Sequence, residues 1–292
     1  MLSYTGLSDV ADPGPQPDPL PTPNSGRAQT RPEPFERGRS FQPDGVALVN
    51  PLVAKLSPFM DLDYSDVAAL EAIAGSAKPY PSGKILFHEG SVPDHVYLFV
   101  RGMACRYKLL PSGQRQILGF LIPGDLCDLQ FLALNPSDHS VTLLSNAELV
   151  KIPTWKIQDL LADRPSIDRA LALAALQDFA ILREWLLNVG QRNALEKLAH
   201  FFCEMKIRLE AVGQVDGDGS FDLPVNQMTL ADTTGLTPVH VNRTLQRLRS
   251  DGLIQLCHRR LLIIDFARLA AVAGFDGNYL RARQCGGMSK TA

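Results

Sequence analysis

A glycine between two helix-like segments constrains the fold of this chain more than any other feature. Asn226 can cap a helix by accepting a hydrogen bond from a backbone N–H group. Gly235 then supplies the left-handed backbone conformation that a tight turn requires. Thr237 can cap a second helix, with Pro238 at its first position, where the missing N–H group has no cost. The pattern predicts a helix-turn-helix unit.

The second helix of this unit has one apolar face and one mostly polar face. Val241, Leu245 and Leu248 follow the i, i+4, i+7 spacing of a buried stripe. The opposite face is free to contact base edges in the major groove of DNA. Its residues are Val239, His240, Asn242, Arg243, Gln246 and Arg247.

The distribution of charge favours DNA binding by this unit. The whole chain has a formal net charge of -2. Residues 237–260 nevertheless contain five arginines and only one acidic residue, Asp251. A local excess of arginine in an acidic protein is typical of a surface that contacts phosphates. A solvated basic face is the alternative, and the excess argues against it.

A predicted hairpin follows the second helix. Residues 253–256 and 261–264 have the apolar pattern of short strands, and a basic turn at residues 257–260 separates them. A hairpin directly after a recognition helix forms a wing whose tip lies near the DNA backbone. We therefore predict that Arg259 and Arg260 contact phosphates.

Composition excludes several other classes of protein. The 292 residues are enough for two domains, and no apolar run is long enough to span a bilayer. The five cysteines are scattered and have no metal-ligand spacing, which is typical of reduced thiols. No set of residues suggests a nucleophile with its base, or a phosphate-binding loop. We expect a cytoplasmic protein that is not an enzyme, has no metal site and does not associate with membranes.

The N-terminal half is predicted to contain a tail, helices and a β-roll. Residues 1–46 are rich in proline and polar residues, so we expect a disordered extension. Residues 50–77 have a helical pattern with Ser65 as a cap. Short β-branched and aromatic segments then alternate with turns, which predicts a barrel-like roll. The predicted strands are residues 85–87, 96–100, 104–110, 116–122 and 141–152.

A long helix is predicted at residues 166–190, with Ser166 as its cap. One stripe follows the 3-4 spacing of a coiled-coil seam, and a second stripe contains Leu173, Leu176 and Leu187. We expect one side to cover the roll and the other to pair with the same helix of a second chain. A helix inside one large core is the alternative. The residues predicted for dimerisation are Ala175, Phe179, Leu182, Leu186 and Val189.

The order of these elements resembles the Crp/Fnr family of bacterial transcription regulators over residues 50–275. Pro123-Gly124-Asp125 resembles a corner of the family's β-roll, and Gly235-Leu236-Thr237 with Val241-Asn242-Arg243 resembles its helix-turn-helix signature. The resemblance implies an α+β fold with an N-terminal double-stranded β-helix, a cyclic-nucleotide-binding-like jelly roll. It implies a sensor domain at residues 47–165, a dimerisation helix at 166–190, a winged helix-turn-helix domain at 191–275 and a flexible tail at 276–292.

The resemblance also implies a function. Members bind an inverted repeat in double-stranded DNA as homodimers, and an activator would contact RNA polymerase. By position, Arg243 matches the family's guanine-contacting arginine, whose side chain can bond the O6 and N7 atoms of guanine together. Gln227 and Thr237 match positions near phosphates. Pro238 and Val239 depart from the family's base-contacting residues, so the resemblance does not give the recognised sequence.

The sensor region departs further from the family. The family's cyclic-nucleotide binders have Phe-Gly-Glu where this chain has Leu126-Cys127-Asp128. They have Arg-Ser or Arg-Thr where this chain has His139-Ser140. A neutral imidazole cannot replace a guanidinium, so we expect no cyclic AMP binding. No cysteine precedes Cys105, so we also expect no N-terminal iron–sulfur cluster.

The signal that the sensor responds to stays open. Asp128 and His139 are the candidate effector residues. Cys105 and Cys127 could form a thiol switch, although buried cysteines more often serve as small apolar residues. The alternative function is a sensor module that signals through protein contacts, and the arginine excess at residues 237–260 argues against it.

Overall fold

The computed structural model describes residues 50–129 and 136–280. The extension predicted at residues 1–46 and the tail beyond residue 280, with Cys285, lie outside the described residues. No helix in the described ranges is both long and apolar enough to cross a membrane.

Two short helices, α1 (Pro51–Leu56) and α2 (Tyr64–Ile73), precede the roll. Ser65 was predicted to cap the second helix, and this was wrong. Asp63 caps α2, because its carboxylate accepts a hydrogen bond from the backbone N–H of Asp66 in a reciprocal capping box. Ser65 lies in the first turn, where its hydroxyl donates to Asp63.

The roll consists of two four-stranded antiparallel sheets. One sheet has the strand order β1-β8-β3-β6, and the other has the order β2-β7-β4-β5. The strands are β1 (Lys78–Tyr80), β2 (Ile85–Phe87), β3 (His95–Arg101), β4 (Ala104–Leu109), β5 (Arg115–Leu121), β6 (Leu126–Cys127), β7 (Ser140–Leu143) and β8 (Ala147–Pro153). The barrel-like roll predicted from the turn spacing is confirmed, and so is the jelly roll that the family resemblance implies.

The single strand predicted at residues 141–152 was wrong, since β7 and β8 lie in different sheets. The chain turns between Leu143 and Ala147 to cross from one sheet to the other. Gly102 makes this corner possible: its φ is +87°, and an added Cβ would lie 2.6 Å from the carbonyl oxygen of Asn146.

Two helices follow the roll, α3 (Thr154–Asp163) and α4 (Pro165–Gln191). Ser166 does not cap α4. Arg164 is the N-cap residue, and Pro165 occupies the first helical position, for which its fixed φ is suited. The Ser166 hydroxyl instead donates to Asp66 of α2 at 2.7 Å.

The C-terminal part begins with α5 (Ala194–Ala211). It continues with β9 (Ser220–Asp222), α6 (Gln227–Thr234), α7 (Pro238–Ser250), β10 (Ile254–Cys257), β11 (Arg260–Ile263), α8 (Phe266–Ala273) and a 3-10 helix (Gly277–Leu280). Strand β9 was missed by the sequence analysis, and it makes the wing a three-stranded sheet of order β10-β11-β9.

The flexible tail predicted at residues 276–292 is wrong for residues 277–280, which form a 3-10 helix. The 3-10 helix packs against α4 and α5, and the hydroxyl of Tyr279 donates to the buried Glu204 at 3.0 Å. The side chain of Gln177 on α4 donates to the carbonyl of Leu280 at 2.8 Å. Residues 277–280 therefore belong to the folded unit.

Two apolar cores organise the described residues. The first fills the roll and is covered by α1, α2 and the beginning of α4. The second joins the outer face of β4 and β5 to α4, α5 and the winged helix-turn-helix unit. Strand β4 separates the two, because successive side chains point to opposite faces: Ala104 lies in the first core, and Cys105 and Tyr107 lie in the second. The helix-turn-helix unit thus packs directly on the roll.

Candidate DNA-binding interface and sensor pocket

The helix-turn-helix unit has the caps that the sequence predicts. The side chain of Asn226 accepts a hydrogen bond from the backbone N–H of Thr229 at 2.8 Å, which starts α6. Gly235 ends that helix in the left-handed region with φ +67°. Thr237 starts α7 by accepting a hydrogen bond from the backbone N–H of His240, with Pro238 at the first helical position.

Helix α7 presents its polar face to solvent. Val241, Leu245 and Leu248 are buried, as predicted. We call six exposed residues of this helix the recognition face; they are Val239, His240, Asn242, Arg243, Gln246 and Arg247. Arg243 makes no hydrogen bond or ion pair with any described residue. Its guanidinium is therefore available to a ligand, whereas that of Arg247 lies 3.7 Å from the carboxylate of Asp251.

The wing has a tighter turn than predicted. Strands β10 and β11 are joined by His258 and Arg259 alone, and both have positive φ, as in a two-residue hairpin turn. Arg259 is exposed at the tip. Arg260 is not in the turn: it lies on β11, and its guanidinium bonds Asp216, Asp222 at 3.2 Å and Ser220 at 2.6 Å. Two carboxylates thus already balance the charge of Arg260.

A groove of about 520 Å³ lies beside the recognition face, between α6, α7 and β10. Gln227, the first residue of α6, is exposed at its edge. Arg249 and His258 line the groove from α7 and the wing, and Arg249 donates a hydrogen bond to the carbonyl of Leu256. The N-terminus of α6 and two basic side chains therefore face the same open space.

Helix α4 exposes the stripe that the sequence assigned to dimerisation. Phe179 is 59% exposed, Leu182 49% and Leu186 76%, and Ala175 is also exposed. Val189 differs, because its side chain lies against Gly235 in the turn between α6 and α7. The second apolar stripe of α4, which was predicted to cover the roll, was wrong in two of its residues, because Leu176 and Leu187 are exposed. The buried face consists of Ile167, Ala170, Leu171, Ala174, Ile181, Trp185 and Asn188.

The predicted effector residues Asp128 and His139 lie together inside the roll. The Nε2 atom of His139 is 2.6 Å from Oδ2 of Asp128. The guanidinium of Arg106 bonds the same carboxylate, with Nη2 2.5 Å from Oδ1 and Nε 3.1 Å from Oδ1. Asp128 and His139 are both buried. Asp128 is thus engaged on both sides inside the roll, by Arg106 and by His139.

Arg106 was missed by the sequence analysis, although a signal was present. It lies two residues after Ala104 on β4, and residues at this spacing point to the same face of a strand. Since Ala104 belongs to the core of the roll, the alternation places Arg106 inside it. An arginine that is largely enclosed by the protein requires an acidic partner, and Asp128 supplies one.

The pKa values in this cluster follow from burial and charge. Burial alone would raise the pKa of Asp128, but the charge of Arg106 and the hydrogen bonds from His139 and Arg106 hold it well below its usual range. Burial alone would lower the pKa of His139, but hydrogen bonds to Asp128 and Asp138 and the charge of Asp128 raise it overall. The structure therefore favours a charged cluster.

The two candidate redox cysteines are fully buried and lie in different cores. Cys105 belongs to the core shared with the helix-turn-helix unit, and Cys127 belongs to the core of the roll. Burial raises the pKa of Cys105 to about 12 and raises that of Cys127 well above its usual value. Because the thiolate is the reactive form, this environment favours the role of small apolar residues for both.

Comparison with known proteins identifies the family. A cyclic nucleotide-binding domain matches residues 77–164, and a Crp-like helix-turn-helix domain matches residues 196–272. The nitrogen fixation regulation protein FixK of Bradyrhizobium diazoefficiens is 30% identical over 214 residues, which cover 73% of this chain and 87% of FixK. The chain belongs to the Crp/Fnr family. The transcriptional activatory protein AadR of Rhodopseudomonas palustris is also 30% identical, over 73% of this chain and 87% of AadR.

The solved structure of FixK2 from Bradyrhizobium japonicum shows the same fold. It superposes with a TM-score of 0.60 at 24% identity, over 69% of this chain and 98% of that chain. Its likeness agrees with the sequence-based prediction of a jelly roll, a long helix and a C-terminal winged helix-turn-helix. The protein is thus a DNA-binding transcription regulator of the Crp/Fnr type, in a family of regulators and not of enzymes.

Proposed function

We propose that this Crp/Fnr regulator binds an inverted-repeat promoter site as a homodimer and does so without cyclic AMP. The observation that carries the proposal is the recognition face of α7, whose Arg243 has no partner among the described residues. An arginine free at both donor edges can bond the O6 and N7 atoms of one guanine. A DNA-binding regulator of this kind would act in the cytoplasm.

The exposed stripe of α4 supports the homodimer. Large apolar side chains that cluster on one helix face mark an interaction surface. The stripe repeats at the 3-4 spacing of a coiled-coil seam, so the same helix of a second copy can cover it. Such a dimer has two-fold symmetry, and its two recognition helices require a site with the same symmetry.

The contacts to DNA divide into two kinds. Arg243 specifies sequence through a base edge, and Val239 can contact a thymine methyl group. Gln227, Thr237 and Arg259 contact phosphates and fix the register of the protein on the duplex. The other predicted contacts are Pro238, His240, Asn242, Gln246, Arg247 and Arg260. Of these, Arg260 would have to exchange its carboxylate partners for a phosphate.

The ion pairs inside the roll support the absence of cyclic AMP binding. Asp128 cannot receive a ribose hydroxyl without losing its bonds to Arg106 or His139. Breaking a buried pair costs about 3–5 kcal/mol when one partner is left uncompensated. His139 also lacks the forked donors with which arginine binds a phosphate.

The relatives support a role in activation. AadR carries the name of a transcriptional activatory protein, and other similar regulators are named transcriptional activators. For this chain we propose the same role, through a contact with RNA polymerase when the dimer is bound at a promoter.

Sequencing the genomic DNA fragments bound by the purified protein tests the proposal. We expect enrichment of an inverted repeat whose half-sites are centred about 34–36 Å apart, the spacing of dimeric helix-turn-helix proteins. The same sites should be enriched with and without cyclic AMP. Enrichment of unpaired single half-sites would contradict the proposed dimer, and absence of any enriched motif would contradict specific recognition.

A further inference from the structure

Polar side chains of the roll contact the first helix of the helix-turn-helix unit. Arg115, the first residue of β5, places Nε and Nη2 each 2.7 Å from Oδ2 of Asp232 on α6. The neighbouring Gln116 donates a hydrogen bond to the backbone carbonyl of Thr233 at 3.4 Å. The β4–β5 hairpin thus bonds both a side chain and a backbone carbonyl of α6.

The Arg115–Asp232 pair is shielded and preorganised. The two side chains are 29% and 16% exposed, so water screens the pair less than it screens an ion pair on the open surface. The guanidinium carbon of Arg115 lies 5.6 Å from the ring centroid of the buried Tyr107 on β4. This cation–π contact holds the guanidinium in place before Asp232 reaches it.

The same end of α6 is held from two further directions. Lys197 of α5 donates a hydrogen bond from Nζ to the carbonyl of Thr234 at 3.2 Å. The side chain of Val189 at the end of α4 lies 3.6 Å from where a Cβ on Gly235 would stand. The last carbonyls of a helix have no partner within it, and here Gln116 and Lys197 supply partners. The roll, α4 and α5 therefore meet at the last turn of α6.

We propose that Arg115 and Asp232 are a positioning pair that fixes the orientation of the helix-turn-helix unit on the β-roll. The apolar core between these parts is non-directional and permits neighbouring orientations. A charged hydrogen bond of fixed geometry selects one of them. Only Gly235, Leu236 and Thr237 separate α6 from α7, so a tilt at the end of α6 moves the recognition face.

The consequence for DNA rests on the proposed function, because the separation of two recognition faces matters only in a dimer on an inverted repeat. The orientation within one chain does not depend on that function. Two experiments therefore test the two statements separately.

Pulsed electron paramagnetic resonance measures the orientation without DNA. Spin labels are attached at the exposed positions Lys84 on the roll and Gln246 on α7, with Cys257 and Cys285 replaced by serine and the sample diluted with unlabelled protein. We expect one narrow distance distribution, which broadens in Arg115→Ala and in Asp232→Ala. The charge swap, Arg115→Asp with Asp232→Arg, should restore the narrow distribution.

A matched control is available on the same hairpin. Lys108 on β4 pairs with Glu89 at 3.3 Å within the roll, so Lys108→Ala removes an ion pair that does not touch α6. Its distribution should stay narrow. A distribution that stays narrow in both single variants, or that the charge swap leaves broad, would overturn the proposal.

Titration with DNA measures the consequence. Arg115→Ala and Asp232→Ala should weaken binding to the inverted repeat about fivefold, within the range for coupled side chains, and the charge swap should recover most of that loss. Affinity for a single half-site should stay the same, because the recognition face itself is intact. An equal loss on both DNAs would overturn the positioning role. If the unaltered protein showed no preference for the repeat, the proposed dimeric function would fail, and the spin-label distances would still decide the positioning.

Discussion

At the scale of single residues, the roll holds a buried cluster of charged side chains. Arg106, Asp128 and His139 form a cluster that is hydrogen-bonded through the Asp128 carboxylate. A guanidinium on one side and an imidazole on the other satisfy both oxygens. The cluster links β4 to residues on either side of the segment 130–135, which lies outside the described residues.

The raised pKa of His139 predicts how stability changes with pH. A histidine whose pKa is raised by folding stabilises the protein fully below its unfolded pKa of about 6.5, and this contribution is lost as pH rises through the folded pKa. The free energy of unfolding should therefore fall as pH rises above about 6.5, and His139→Gln should remove much of that slope. Urea unfolding at several pH values checks this, with the exposed His240→Gln as control. Equal slopes in all three proteins would contradict the charged cluster.

The wing predicts different roles for two neighbouring arginines. Arg259→Ala should weaken binding to all DNA sequences and reduce the slope of log affinity against log salt by about 1, because one phosphate contact is lost. Arg260→Ala should change that slope less, since its guanidinium is already bonded to Asp216 and Asp222. Salt titrations of both variants on one DNA measure the difference. A larger change for Arg260 would reverse the assignment of the wing tip.

At the scale of helices and strands, the local sequence was sufficient to predict helix ends that are set by the preferences of a single residue. Asn226, Gly235 and Thr237 gave the bounds of α6 and α7, because cap and turn preferences act within a few residues. The sequence predicted Ser65 and not Asp63 as the cap of α2, because both residue types can cap a helix and only the backbone geometry decides between them.

Elements that depend on distant partners could not be predicted in the same way. Strand β9 has three residues and pairs with β11, from which it is separated by two helices and a strand. The crossing from β7 to β8 is set by contact with Gly102, which is distant in sequence. Periodicity identified the exposed stripe of α4 but could not show that Val189 packs on Gly235. The Arg115–Asp232 pair likewise joins residues that no local pattern connects.

The exposed stripe of α4 predicts a single substitution that separates the proposed homodimer. Leu182→Glu should place two unpaired carboxylates in a dry seam and convert the protein to a monomer, because buried unpaired charge is costly. Arg183→Glu, at the adjacent exposed position, introduces the same carboxylate outside the stripe and should leave the dimer intact. Sedimentation velocity distinguishes the two. If Leu182→Glu remained a dimer, the exposed stripe of α4 would not be the dimer interface.

At the scale of the whole molecule, the roll and the DNA-binding unit share one apolar core. The outer face of β4 and β5 contributes Cys105, Ile117 and Phe120 to it, and α5 contributes Phe201. Phe120 contacts Phe201 and Trp185, with ring centroids 5.2 and 5.8 Å apart. A change in the shape of the β4–β5 hairpin therefore reaches the helix-turn-helix unit through direct packing.

The bonds of the buried Asp128 predict that cyclic AMP does not act on this molecule. Isothermal titration calorimetry should show no binding at micromolar nucleotide, and DNA affinity should not change when the nucleotide is added. The physical reason is that Asp128 is engaged by Arg106 and His139. Micromolar binding would mean that these residues rearrange into a working pocket.

In the proposed function, α7 recognises DNA sequence through Arg243, and selection of bound DNA by the Arg243→Ala variant tests this role. Arg268→Ala, an exposed arginine on α8, is the matched control. We expect Arg243→Ala to lose about 1–3 kcal/mol of binding free energy on the preferred site and to lose its preference at one symmetric base pair. The control should select the same sites as the unaltered protein. If Arg243→Ala selected those sites with unchanged affinity, the recognition face would be wrongly assigned.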